Sequence, residues 1–493
     1  MKTLPEQPVT AGSDSDSAAA NPTKYNRRAT DRTTDRGTNS TAAPHAGLAT
    51  LERPSTAESG GHTRPLPSPA VHPEVPVPHP RMGKHSRFVM ALALFVAANL
   101  SLSFFSPFEF DPYKYIYRGW AWWNMNDLRH DTQLHNVALL GSSLMVSAVA
   151  GADAVHSLKS IDLTQYHKAT YLDYQLSQRI KGDFNTFNLS APGQMPSDAY
   201  LTLKSMINVS QRPEVVIYGI APRDFIDSTL SSPADTEPFR YLRRIVNIDD
   251  VASGLYHSPI PRLDWCLQRS VYMYANALDI QMSANEWLTE TMAHVVPRPT
   301  KTNRPFTWWD RTHVLPQYLK GEIIPNSMLA VPLTPAQAAA QTSDNTAEYR
   351  ERYKHPEPST YQLQFYFLRR LAYYCRKEKI ELVLVNMPIT QQNISLLNPT
   401  VYLQYVQAIK AFGYDNNVAV LDLCNWSQYV PGDFHDSVHL NAFGGKKFLW
   451  HLAEGLAAWP RTRLALEMAG AELRRHKEVE ATSRPNGEAR HAD

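Results

Sequence analysis

The sequence predicts an α/β fold: a three-layer αβα domain around a mainly parallel five-stranded sheet, preceded by one N-terminal transmembrane helix. Three observations predict it. Short apolar runs bounded by turn residues alternate with helical patterns, as they do in a parallel sheet covered on both faces. The stretch from Phe88 to Phe105, FVMALALFVAANLSLSFF, carries no charge. Everything before it is rich in Pro, Ser, Thr and Ala and nearly free of aromatic clusters.

In chain order, residues 1–86 hold many of the 36 prolines. They have too little apolar surface to offset the entropy of ordering, and are expected to be a disordered cytoplasmic tail. Residues 87–106 follow as the anchor, since an uncharged helix of this length is near the minimum that spans a bilayer core. A cleaved signal peptide would have a far shorter segment before its apolar core. Arg81, Lys84 and Arg87 precede the span, and Glu109 and Asp111 follow it. Positive-inside asymmetry then predicts a single-pass protein of the cell (inner) membrane, N-terminus cytoplasmic and folded domain extracytoplasmic. Tyr113, Tyr115, Tyr117, Trp120, Trp122 and Trp123 come next. They read either as an interfacial aromatic belt or as the first amphipathic helix of the domain.

The domain is expected over residues 107–460. Its strands are placed at Val137 to Leu140, Phe184 to Leu189, Glu214 to Tyr218, Glu381 to Val385 and Val418 to Leu423. Before the fourth, Tyr361, Phe365, Leu368, Ala372 and Cys375 form a helical stripe, which makes Cys375 a core thiol. Between the last two, Tyr402, Tyr405, Val406, Ile409 and Phe412 form another, with Gly413 expected to stop the helix. The interval of about 225–358 is too long for a simple crossover and reads as an insertion, mainly helical and irregular. Tyr241 to Val246 and Trp265 to Trp287 look partly helical; Pro297 to Pro305 and Pro332 to Glu348 look like loop. Such a segment would shape acceptor choice rather than chemistry, as a cap or groove wall. Residues 461–493 read as a charged, partly disordered tail, a charged helix from about Arg461 that fades into Ser, Pro, Asn and Gly.

A net charge of +2, from 49 basic and 47 acidic residues, supplies no field that would argue for nucleic acid. Cys266, Cys375 and Cys424 are too few and too scattered for a CxxC metal site, and allow at most one intrachain disulfide.

In a parallel α/β sheet, ligands gather outside the carboxyl ends of the strands. Gly141-Ser142-Ser143-Leu144 follows the first run and Asn188-Leu189-Ser190-Ala191-Pro192-Gly193 the second. Gly219-Ile220-Ala221-Pro222-Arg223-Asp224 follows the third, and His435-Asp436-Ser437-Val438-His439-Leu440-Asn441 comes after the last. Ser143 at a helix start lies where backbone N–H groups could hold an oxyanion. Asp436 and His439 have the spacing for one turn to bring an imidazole to that serine while the carboxylate orients it. The plainer readings are helix capping by Ser142 and Ser143, and by Asp436 for the helix starting near Asn441. His435, Asp436 and His439 are also close enough along the chain to be ligands, but no further His or Cys cluster has metal spacing, so no metal or other cofactor is expected.

These four clusters, in this order, resemble the blocks of the SGNH (GDSL) hydrolase superfamily, over about Val137 to Gly445 without the insertion. The resemblance implies an SGNH/flavodoxin-like fold and a triad of Ser143, Asp436 and His439. The oxyanion hole would be built from the N–H groups of Ser143 and Gly193. Two departures bear on activity. Ser142 stands where the family's first block usually has aspartate, and the third block lacks its asparagine, with Arg223 nearby as a cationic substitute. With the anchor, these departures make the chain similar to membrane-anchored SGNH-like proteins of cell-surface polysaccharide acylation. Such likeness implies a serine acyltransferase acting on an extracytoplasmic glycan through acyl-Ser143, beside a multispanning membrane acyltransferase. An esterase removing acyl groups from glycan or lipid, with water as acceptor, is the first alternative, the substrate being a glycan or an acylated small molecule. A catalytically silent module that binds polysaccharide or scaffolds a complex is the second, and Trp308 and Trp309 could stack on its sugars.

Overall fold

Each of the five apolar runs becomes a strand of one sheet. The computed structural model describes residues 83–105, 111–114, 119–209, 212–277, a few positions between 280 and 291, 329–425 and 427–483. The expectations made for residues 1–82 and 484–493, for Tyr115 and Tyr117, for Pro297 to Pro305 and for Trp308 and Trp309 lie outside the described residues. Strands run at β1 (Val137–Gly141), β2 (Ile161–Asp162), β3 (Thr186–Asn188), β4 (Val215–Ile220), β5 (Leu329–Ala330), β6 (Glu381–Asn386) and β7 (Ala419–Asp422). Five of them form an all-parallel sheet in the order β3-β1-β4-β6-β7. The short β2 and β5 pair antiparallel with each other, a ribbon that the apolar pattern does not announce.

The register aligns the carboxyl ends: Gly141 lies opposite Gly219, Ile220 opposite Asn386, and Asn386 opposite Asp422. From β1 the sheet grows to β3 on one side and to β4, β6 and β7 on the other. Winding therefore reverses beside β1, and the ligand crevice of such a sheet opens at that reversal. Every residue of β1, β4 and β6 is buried, which is why these strands read as continuous apolar runs.

Helix Ser143–Ser157 packs on Ala442–Ala458 and Thr170–Ser177, while Pro196–Asn208 packs on Pro358–Lys377 and Glu237–Leu242. The aromatic run after the span is settled for its second half. Trp120–His130 is a helix with Trp122 and Trp123 buried, so these two indoles belong to the core and not to an interfacial belt. Cys375 is buried as expected, and burial pushes its thiol up, away from reactivity. No disulfide joins the three cysteines.

Three expectations need correction. Gly413 does not stop its helix, which runs on from Pro399 to Asn416 and is closed by Asn417 at φ 53. The glycine is there for a close approach, since a Cβ on it would lie 2.4 Å from Val420 Cγ2. The Pro332 to Glu348 stretch is partly helical, at Pro335–Ala340 and Thr346–Arg352. Thr334 caps the first by accepting the Gln337 N–H, a box that the prolines mask in a propensity reading. The start of the insertion is core rather than cap: Phe239 and Leu242 of Glu237–Leu242 are fully buried. The charged helix expected after Arg461 is present as Pro460–Ser483, docked on the domain through Leu466, Ala469 and Leu473, with Arg461 paired to Glu381 and Lys477 to Asp183. Its buried face was hidden by its many charges.

Helix Gly83–Phe105 contains the apolar stretch Arg87–Phe105, 19 residues of mean hydropathy 2.2, long and apolar enough to cross a membrane.

Candidate active site

Ser143 begins its helix immediately after β1, and Gly141 at φ 153 makes the turn between them. The first N–H groups of a helix have no partner within it, so those at Ser143 and Leu144 point past the strand end. Neither serine acts as a side-chain cap. Ser142, the N-cap residue, makes no side-chain capping bond, and the Ser143 hydroxyl is engaged elsewhere.

That engagement is with His439. Its Nε2 lies 2.8 Å from Ser143 Oγ, and its Nδ1 lies 2.6 Å from Asp436 Oδ2. A carboxylate only accepts, so Nδ1 carries the proton and Nε2 is left to accept from the serine hydroxyl. The other carboxylate oxygen, Asp436 Oδ1, accepts the backbone N–H groups of Val438 at 2.9 Å and His439 at 2.7 Å. Burial pushes the Asp436 carboxyl up, but the hydrogen bonds and charge at His439 outweigh it and hold it below the usual carboxylate range. Asp436 thus does not cap the next helix. Asn441 does, accepting from Phe443 and Gly444.

Helix packing fixes the two halves against each other. A Cβ on Gly445 would lie 2.3 Å from the Ala148 carbonyl oxygen, so only glycine lets Ala442–Ala458 rest this closely on Ser143–Ser157. Ser147 Oγ donates to the Leu440 carbonyl at 2.9 Å, tying the serine's helix to the histidine's loop.

Gly193 and Arg223 lie together. Gly193 sits at φ 79, and a Cβ on it would be 3.6 Å and 3.8 Å from the two terminal nitrogens of Arg223. Its loop is joined to the end of β1, where the Gly141 N–H donates to Gln194 Oε1 at 2.6 Å and the Ala191 N–H to the Gly141 carbonyl at 3.0 Å. Arg223 is 8 % exposed and is not a free cation: its Nη2 lies 2.9 Å from Asp227 Oδ2, an oxygen that also pairs with Arg352. Burial raises the neighbouring Asp224 carboxyl well above its usual range, against the pull of Arg223. Asp227, by contrast, is held low despite burial, because Arg223 and Arg352 flank it. The guanidinium is therefore oriented by a network that reaches the end of the insertion.

Donor atoms of His435, Asp436 and His439 lie within 4.8 Å of one another, but both His439 nitrogens are committed to hydrogen bonds that an ion would have to break. The site's supporting residues went unread in the sequence. Gln194 adjoins Gly193 and could have been suspected. Ser343 and Asn345 could not: the Ser343 N–H donates to the His435 carbonyl, and Asn345 Oδ1 accepts both the N–H and the hydroxyl of Ser437 across 92 positions of sequence. On the other side of the loop Thr390 Oγ1 donates to the Ser437 carbonyl at 2.7 Å. No protein-family model matches the chain, and no curated protein matches its sequence.

Proposed function

We propose that this chain is a membrane-anchored, SGNH-like serine acyltransferase acting on an extracytoplasmic glycan through an acyl-Ser143 intermediate. The single observation that carries the reading is the His439 ring, bonded to Ser143 through Nε2 and to Asp436 through Nδ1. Support for an SGNH-like fold of three layers comes from the strand order, the burial of β1, β4 and β6 on both alternations, and the two groups of helices packed along the sheet. Three of the four motif clusters sit at the carboxyl ends of β1, β3 and β4, and the fourth lies on the loop beyond β7.

In the first half-reaction the Ser143 oxygen attacks the acyl carbonyl while its proton moves to His439 Nε2. The tetrahedral oxyanion is held by the N–H groups of Ser143 and Gly193, with Arg223 adding positive potential beside Gly193. Nε2 returns the proton to the departing group, leaving acyl-Ser143. A glycan hydroxyl then attacks, losing its proton to Nε2, and Ser143 is regenerated as the ester forms on the sugar. Asp436 keeps Nδ1 protonated throughout. The donor would be delivered by a multispanning membrane acyltransferase, with the anchor oriented by Arg81, Lys84 and Arg87 so that the N-terminus is cytoplasmic.

Mass spectrometry after incubation with an activated acyl ester tests the reading. One acyl mass on Ser143, passed to added glycan, is expected. Loss of the label only to water would make the chain an esterase. No label, with full glycan acylation in cells carrying Ser143→Ala, would leave a silent binding module.

A further inference from the structure

The helix Pro259–Ser270 is amphipathic in an unusual sense: its apolar edge points away from the domain. Trp265 stacks on the buried Tyr256 with ring centroids 6.0 Å apart, and Arg269 pairs with Asp249, so these two side chains face the protein. Ile260, Leu263 and Leu267, at helical spacing on one face, lie about opposite at 100° per residue. Ile260 is 81 % exposed, Leu263 60 % and Leu267 half-buried, and no residue of this helix is fully buried. A soluble surface helix would turn such residues inward.

The next helix, Tyr272–Ala275, packs against the apolar span. The Met273 N–H donates to Asn99 Oδ1 at 3.0 Å, and Asn99 is buried in a span that is otherwise almost wholly exposed. Asn99 stands six residues before Phe105, the span's last residue, or roughly 9 Å along the axis at 1.5 Å per residue. Helices that lie in the bilayer interface bury their apolar face by about 5–10 Å. The hydrogen bond therefore sets this part of the insertion at the depth where an interfacial helix belongs.

We infer that Pro259–Ser270 is a second membrane attachment, an interfacial helix whose Ile260, Leu263 and Leu267 edge is immersed in the same leaflet that the span leaves. The inference rests on the reading of Arg87–Phe105 as a membrane anchor. Attachment at two points fixes the tilt of the domain over the bilayer, which attachment at one point does not.

The test uses the full chain, with Cys266→Ser and Cys424→Ser, reconstituted in phosphatidylcholine/phosphatidylglycerol vesicles. Nitroxide labels are placed singly through Leu263→Cys, Ile260→Cys, Phe95→Cys and Tyr414→Cys, and relaxation by oxygen is compared with relaxation by a water-soluble nickel chelate. Tyr414 is 89 % exposed on the domain surface and reports water. The expected result is an oxygen-to-nickel ratio several-fold higher at Leu263 and Ile260 than at Tyr414, approaching that at Phe95. Nickel access at Leu263 equal to that at Tyr414, with Phe95 still in lipid, would overturn the inference and leave the anchor standing. Shielding of Leu263 from both reagents would overturn it in favour of a protein partner or a second copy. Nickel access at Phe95 would remove the anchor and this inference together.

Discussion

The Ser343 N–H donates to the carbonyl oxygen of His435 at 2.7 Å, so the far end of the insertion holds the loop that carries His439. This bond changes what the insertion is for. From sequence it should tune acceptor choice and leave the chemistry alone; in the fold its last part braces the imidazole.

Asn345 tests that role. Asn345→Ala removes the acceptor for both the N–H and the hydroxyl of Ser437, which lies between Asp436 and His439. Each lost bond is worth about 1 kcal/mol, so kcat on a small activated ester should fall by up to roughly thirtyfold with KM little changed. Steady-state kinetics of the purified variant decide it. An unchanged kcat together with altered glycan preference would return the insertion to a purely selective role.

Gly445 is the contact point between the serine's helix and the histidine's. Gly445→Ala places a methyl against the Ala148 carbonyl and must spread the two helices. A cost of about 1–3 kcal/mol in unfolding free energy is expected, as for other overpacked contacts, together with loss of ester turnover. Denaturant melts of variant and parent, paired with turnover, show whether both fall together. A stable but inactive variant would place the damage in the Ser143–His439 geometry alone.

Asp198 gives the fold a pH dependence of its own. It is fully buried, accepting from Thr236 Oγ1 at 2.6 Å and from the Met195 N–H at 2.8 Å, and burial raises its carboxyl from 3.8 to about 7 despite those bonds and the charge of Arg223. A raised carboxyl stabilises the fold fully below its unfolded value, and that contribution is lost as pH rises through the folded one. Stability attributable to Asp198 should therefore decline between about 3.8 and about 7, by at most about 1.4 kcal/mol per pH unit. Asp198→Asn should flatten that part of the profile. Unfolding free energies of both proteins across the window measure the difference, and parallel curves would mean that Asp198 does not titrate there.

The five strands were legible because a buried parallel strand is a continuous apolar run, and the triad because its members follow strand ends or share a turn. Other features depend on tertiary partners that leave no local mark. The ribbon of β2 and β5 is two residues long on each side, too short for periodicity. Arg223 could be noticed beside the third strand, but not that Asp227 and Arg352 hold it. Trp122 and Trp123 look the same in sequence whether they meet lipid or the core, and the helix that buries them decides it.

The strongest constraint on the triad lies in how Asp436 is held. Its Oδ1 accepts two backbone N–H groups, from Val438 and His439, and only Oδ2 faces the imidazole. In Asp436→Asn the carbonyl oxygen must stay on the two N–H groups, because an amide NH2 there would face two donors. The NH2 is thereby turned toward His439 Nδ1, which has to become an acceptor, and the ring proton moves to Nε2. With Nε2 protonated, the ring donates to Ser143 and can no longer take its proton. The fold should be intact, since both backbone bonds survive, while kcat on an activated ester should fall by about 10⁴, as expected of a triad locked in the wrong tautomer. Transient kinetics of acyl-Ser143 formation, beside a thermal melt, measure both quantities. A loss below tenfold would show that Asp436 does not set the tautomer, and that His439 works, if at all, without it.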